Sequence, residues 1–111
     1  MPHFIVTGSY TARGMKGMVD HPSDREAAAR EIVEASGGIL KGYYLTSGDS
    51  DFMVIAEAAD SADLVAGLMV SGASGTLTGL KTIRAYTNSE FNTIQKKAHG
   101  LAGKFSPTDK S

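Results

Sequence analysis

The chain has 111 residues, and few of its side chains could do chemistry. His3 opens the first apolar run. A histidine titrates near pH ~6.5, so it serves as a general base when a partner orients it, and is otherwise a satisfied or solvent-facing ring. Asp51 follows the Gly48-Asp49 turn and starts a strand. There its carboxylate either accepts the turn's N–H groups and fixes the hairpin, or projects into a cleft and moves a proton. His3 and Asp51 are therefore the candidate catalytic residues. Glu57 lies an even number of positions beyond Asp51, so a regular strand points both carboxylates to one face. Over that rise they stand about 20 Å apart, too far for a glycosidase-type pair within one subunit.

Tyr44, Asp51, Arg84 and Tyr86 are the candidate ligand-binding residues. Arg84 can hold a carboxylate through two parallel N–H bonds; the competing reading is an ordinary salt bridge. Tyr10, Tyr43, Tyr44 and Tyr86 all sit in apolar runs. They supply packing area with a hydrogen-bonded hydroxyl, or one or two of them line an aromatic-substrate pocket between sheet and helices. His21 and His99 are far from His3 in sequence, so the histidines have no metal-ligand spacing. No metal and no cofactor are expected.

Composition removes several function classes. The chain contains no cysteine, which rules out disulfides, thiolate metal sites and a cysteine nucleophile. A net charge of −1 lacks the basic excess of a nucleic-acid binder. No apolar run reaches the roughly 18 residues of a membrane span, and MPHFIVTGSY has no signal-peptide pattern. A cytoplasmic location is expected. The Gly8–Gly17 segment misses the phosphate-loop template: Gly8 and Gly14 are one residue too far apart, and Met15 rather than Lys follows Gly14. Lys16 beside backbone donors could still meet an anion. No Gly-x-Ser-x-Gly elbow is present.

The elements that must position these residues follow from periodicity. His3–Tyr10 alternates as a strand, with Phe4, Val6 and Tyr10 on one side and His3, Ile5, Thr7 and Ser9 on the other. Thr11–Val19 reads as a loop with a helical turn. Ser23 and Glu26 fit a capping box for a helix over 24–36, whose stripe is Ala28, Ala29, Ile32, Val33 and Ser36. Gly37-Gly38 stops it. Strands are expected over 39–46 and 51–58, the latter an apolar run suited to a central position. Asp60 caps a helix with Ala62, Val65, Leu68 and Met69 as its buried stripe. A fourth strand follows over 76–87. Thr87 and Glu90 form another capping box, opening a helix with Phe91, Ile94, Ala98 and Leu101 at helical spacing. The domain is placed at 1–100, with a loose polar tail over 101–111.

The order β-α-β-β-α-β plus a C-terminal helix predicts an α+β, ferredoxin-like fold: a four-stranded antiparallel sheet covered by two helices on one face. The other face would carry Ile5, Tyr44, Met53, Ile55, Ile83 and Tyr86. A contiguous apolar patch of that size usually marks an interface. A second copy packed face to face about a two-fold axis would cover both patches at once, burying a standard ~800 Å² per partner. Phe91 and Ile94 would make the last helix a swapped arm. The alternative is that this helix folds back over its own sheet.

The residues Gly37-Gly38, Tyr44-x-Thr46-x-Gly48, Asp51 and Glu57-x-x-Asp60, in that order and spacing, resemble the GYD domain family, small bacterial proteins of the dimeric α/β-barrel superfamily. Gly14, Lys16, Arg25, Thr82, Ala85 and Glu90 extend the resemblance over roughly Phe4 to Phe91. Ser50 stands where the family's Gly-x-Tyr-Asp signature has its tyrosine. The resemblance implies a dimeric α/β barrel and brings no assigned reaction. The chain is accordingly expected to be a homodimer or higher homo-oligomer acting as a small-molecule binding or assembly module, with a small organic ligand and neither nucleic acid nor membrane as partner. The alternative is a cofactor-independent monooxygenase or isomerase acting on a small aromatic or quinol-like compound, with His3 or Asp51 moving the proton.

Overall fold

The computed structural model describes residues 1–108. Four strands, β1 (His3–Tyr10), β2 (Ile39–Leu45), β3 (Phe52–Glu57) and β4 (Leu77–Ala85), form one antiparallel sheet in the order β2-β3-β1-β4. Helices α2 (Arg25–Ala35) and α3 (Ser61–Ala73) are the crossovers. The result is the α+β split-βαβ arrangement that the element order predicts, with β1 and β3 central.

Register assigns each side chain to a face. Ile5 stands opposite Ile55 on β3 and Ile83 on β4, while Val6 stands opposite Val54 and Thr82. Phe4, Val6, Phe52, Val54 and Ala56 point toward the helices and join Val33, Leu64 and Ala58 as the buried core. The α2 stripe turns inward as its spacing requires: Val33 is buried and Ala28, Ala29, Ile32 and Ser36 are half-buried.

Three local readings are corrected. First, residues 12–20 form a helix, α1 (Ala12–Asp20), rather than a loop. The Thr11 hydroxyl accepts from the Gly14 amide at 3.1 Å and donates to the Gly75 carbonyl at 2.7 Å, so a single cap both starts the helix and ties it to the turn before β4. Gly14 permits the contact, because a Cβ there would lie 2.3 Å from the Thr76 carbonyl oxygen. Second, Asp24, not Ser23, caps α2: its Oδ1 accepts from the Ala27 amide at 3.0 Å. Glu26 instead meets Arg30 one turn on, at 3.3 Å. Third, the inward face of α3 is Leu64, Gly67 and Leu68, while Val65, Met69 and Val70 are exposed. This helix is apolar on several sides, so periodicity leaves its rotation open. Gly67 settles it by close approach: a Cβ there would be 2.7 Å from the hydroxyl of Ser36, which caps the C-terminus of α2.

The last helix, α4 (Asn88–Ala102), starts at the expected capping box. The Glu90 amide donates to the Thr87 hydroxyl at 3.1 Å, and Glu90 Oε1 accepts from the Thr87 amide at 2.9 Å. Gly100 lies inside this helix, so the helix enters the segment read as a loose tail; residues 109–111 lie outside the described residues. No residue of α4 is buried, and Phe91, Ile94 and Leu101 are exposed. The helix does not fold back over its own sheet. The molecule measures 62 × 31 × 22 Å with a radius of gyration of 18.1 Å, against about 13 Å for a compact chain of this length. No helix among the described residues is long and apolar enough to cross a membrane.

Candidate functional site

Two groupings of polar side chains stand out, one between the sheet and its helices and one at the end of the sheet where β1 begins. The first is built by the covered face. Between the sheet and helices α2 and α3 lies a cleft of about 160 Å³. Its walls are apolar, from Val54, Phe52, Ile32 and Leu68 among others. Its polar groups are Tyr10 at the end of β1, Tyr43 on β2, Arg25 at the start of α2 and Ser71 on α3. The Tyr10 and Tyr43 hydroxyls are hydrogen-bonded to each other at 3.0 Å. One donates to the other, so the second hydrogen remains free to donate elsewhere. Burial, reinforced by the bond to Tyr10, pushes the Tyr43 hydroxyl well above its ordinary 10.0; it stays protonated and is a donor, not a base. The Ser71 hydroxyl is engaged with the Gly67 carbonyl at 3.0 Å. Nε of Arg25 is buried without a hydrogen-bond partner.

A second cleft, of about 480 Å³, adjoins the first and shares Tyr10 and Arg25 with it. Arg13, Lys16 and Asp20 of α1 also line it. Lys16 bonds to Asp20 at 2.6 Å, which leaves Arg13 and Arg25 as its cationic groups without an ion-pair partner among the described residues.

The second grouping spans the end of the sheet where β1 begins and β3 and β4 end, with His3 and Glu57 on the open face and Arg84 opposite Phe4 on the covered one. His3 Nε2 is 3.4 Å from Glu57 Oε1, and Glu57 Oε2 is 3.6 Å from Lys41 Nζ. His3 Nδ1, buried without a hydrogen-bond partner, is 4.0 Å from Glu90 Oε1. Glu90 Oε2 in turn accepts from Arg84 at 3.0 Å. Lys41, Glu57, His3, Glu90 and Arg84 thus form a continuous line across β2, β3, β1, α4 and β4. The Thr87 amide and then Arg84 hold the Glu90 carboxyl below its ordinary 4.5. The Arg84 guanidinium also lies 4.3 Å over the Tyr86 ring and donates to the His3 and Ala85 carbonyls.

These positions divide the residues singled out from sequence. His3, Arg84 and Tyr86 come together at this end of the sheet. Asp51 lies at the other end of β3, where its Oδ2 accepts from the Tyr10 amide at 2.9 Å and its own amide donates to the Gly8 carbonyl at 2.8 Å. Both bonds sit at the register shift between Thr7 and Ser9, so Asp51 locks the end of β1 to the start of β3. Tyr44, opposite Met53, is exposed on the open face. One pocket therefore does not gather Tyr44, Asp51, His3 and Arg84. His3 has a titratable neighbour but lines neither cleft. Arg25, Lys41 and Glu90 escaped notice as site residues, because nothing in their spacing links them to Tyr43, Glu57 or His3; register and crossover bring them together. Among the described residues no group of three or more His, Asp or Glu is placed to hold a metal ion.

No curated protein sequence and no solved structure matches the chain. The family model of the GYD domain matches residues 4–94. That match runs from Phe4 on β1 through the first half of α4 and takes in both crossovers and the polar groups described above apart from His3, so the chain belongs to the GYD domain family.

Proposed function

We propose that this chain is a self-assembling binding module: two copies close their open sheet faces against each other, and each keeps a cleft for a small organic molecule under its own helices. One observation carries the assembly half. A sheet face bearing Ile5, Met53, Ile55, Ile83 and Tyr44 has no helix over it among the described residues, and the adjacent α4 exposes Phe91, Ile94 and Leu101. Strands of this length and number present a face of about 450 Å², and a helix of this length adds about 200 Å². Together these approach the ~800 Å² per partner of a standard interface. Dimeric pairing of this kind also matches the α/β-barrel arrangement that the sequence resemblance implies.

The cleft carries the binding half. It is concave, mostly apolar and furnished with a few converging polar groups, as small-molecule sites are. Arg25 and the tyrosine pair are its donors, and the Ser71 hydrogen is already spent on the Gly67 carbonyl. A monooxygenase or isomerase would need a base beside its substrate, and His3 and Asp51 both face elsewhere, so binding is favoured over catalysis.

Light scattering tests assembly directly. The wild-type chain should run at twice its 11.6 kDa mass or a higher multiple, and Ile55→Asp, which puts a charge in the middle of the open face, should run as a folded monomer. A wild-type chain that remains monomeric at high concentration removes the assembly half. A thermal-shift screen with small organic compounds tests the cleft.

A further inference from the structure

We propose that the cleft takes a monocyclic aromatic carboxylate, its ring among the apolar side chains and its carboxylate against Arg25 and the tyrosine pair. This deepens the binding reading above and rests on it. Three observations converge on that chemistry.

The first is size. The apolar cleft holds about 160 Å³, close to the ~150 Å³ of an engineered cavity that accepts benzene. Its walls, Val54, Phe52, Ile32 and Leu68, offer a single ring an apolar enclosure. The second is an unspent donor. Arg25 lines the cleft, and Nη2 of its guanidinium has no hydrogen-bond partner among the described residues. The only side-chain bond of this guanidinium among the described residues runs from Nη1 to the Ser23 hydroxyl at 3.4 Å. The hydroxyl pair supplies another hydrogen beside it, since only one of the two is used between Tyr10 and Tyr43. Two donors at one end of an apolar slot suit the two oxygens of a carboxylate. The third is charge. Arg25 stands at the junction with the second cleft, whose other cation without an ion pair is Arg13. The field there favours an anion and repels an amine.

Calorimetric titration with four probes tests the assignment: benzoate, benzyl alcohol, benzylamine and acetate. Benzoate should bind roughly tenfold to a hundredfold more tightly than benzyl alcohol, the range expected of a charge-assisted hydrogen bond. Benzylamine, a cation at neutral pH, and acetate, which has no ring, should show no measurable binding. Arg25→Gln should lower benzoate affinity tenfold or more and benzyl alcohol affinity much less. Arg25→Lys, which keeps the charge but loses the planar fork, should fall between. Ala29→Leu, which fills the slot from α2, should abolish both aromatic ligands at unchanged oligomeric mass. If benzyl alcohol binds as tightly as benzoate and Arg25→Gln changes neither, the carboxylate assignment is overturned while the cleft remains a binding site. If no aromatic probe binds the wild-type chain, the cleft reading falls with it.

Discussion

The two faces of this sheet are made by the same strands and obey different rules. On the covered face, Phe4, Val6, Phe52, Val54 and Ala56 are buried under α2 and α3. On the open face, one residue along each strand, Ile5, Met53 and Ile55 are half-exposed and Ile83 is about half exposed at 49%. The covered face encloses a cleft with few polar groups, and an unpaired atom there is conspicuous because water cannot reach it. The open face carries His3 and Glu57 in a line of opposite charges that runs around the end of the sheet to Arg84. A side chain's neighbours thus follow from which way the pleat turns it, and folding stability and self-association should separate along the same division.

The largest test of that division pairs a substitution on each face. Phe52→Ala empties a site packed against Tyr10, with ring centroids 5.5 Å apart, and should cost about 3–5 kcal/mol in urea unfolding. Ile83→Lys, measured at concentrations where copies are dissociated, should change folding stability by no more than about 0.5 kcal/mol while abolishing self-association. Equal losses of stability from both would erase the distinction between the faces.

Gly8→Ala probes the covered face by overfilling. The new Cβ would stand 2.6 Å from Phe52 Cζ and 2.8 Å from Leu80 Cδ2. Displacing the ring and the leucine should cost about 1–3 kcal/mol, read from the denaturation midpoint. Away from both faces, Thr87→Ala removes the cap of α4 and should cost about 1 kcal/mol. Because α4 packs so little on its own chain, the loss should appear as fraying by amide exchange in the monomer and shrink when copies associate.

The smallest effect is alkaline. In the fold Tyr43 ionises above its ordinary 10.0 because it is buried, whereas in the unfolded chain it ionises near that value. Its contribution is therefore complete below pH 10 and is lost as pH rises from there through the folded value. Tyr43→Phe should flatten this alkaline decline, and tyrosinate absorbance should show one late-ionising group missing. An unchanged decline would mean that the covered face does not shield this hydroxyl.

Much of the fold is legible in residue order. The alternation in β1 states its own two faces, Asp60 and the Thr87–Glu90 box announce two helix starts, and the β-α-β-β-α-β order selects the sheet. The misread places are those where one local signal competes with another. Glycines in residues 12–20 argue for a loop, yet Gly14 is there to let a helix touch the Thr76 carbonyl. Ser23 and Asp24 are adjacent capping residues, and only the path of the chain chooses between them. The uniformly apolar α3 has no polar side to set its rotation.

The candidate sites divide in the same way. Tyrosines lining a pocket between sheet and helices follow from their place in the strands, and the structure puts Tyr10 and Tyr43 there. That their hydroxyls meet, that Arg25 stands beside them, and that His3 lies among Glu57, Glu90, Lys41 and Arg84 depends on register and crossover. Sequence alone determines which side chains share a face, because strand and helix periods are local properties of the backbone. Tertiary structure alone decides which faces meet and which polar atoms are left without partners, because those contacts join residues far apart in the chain.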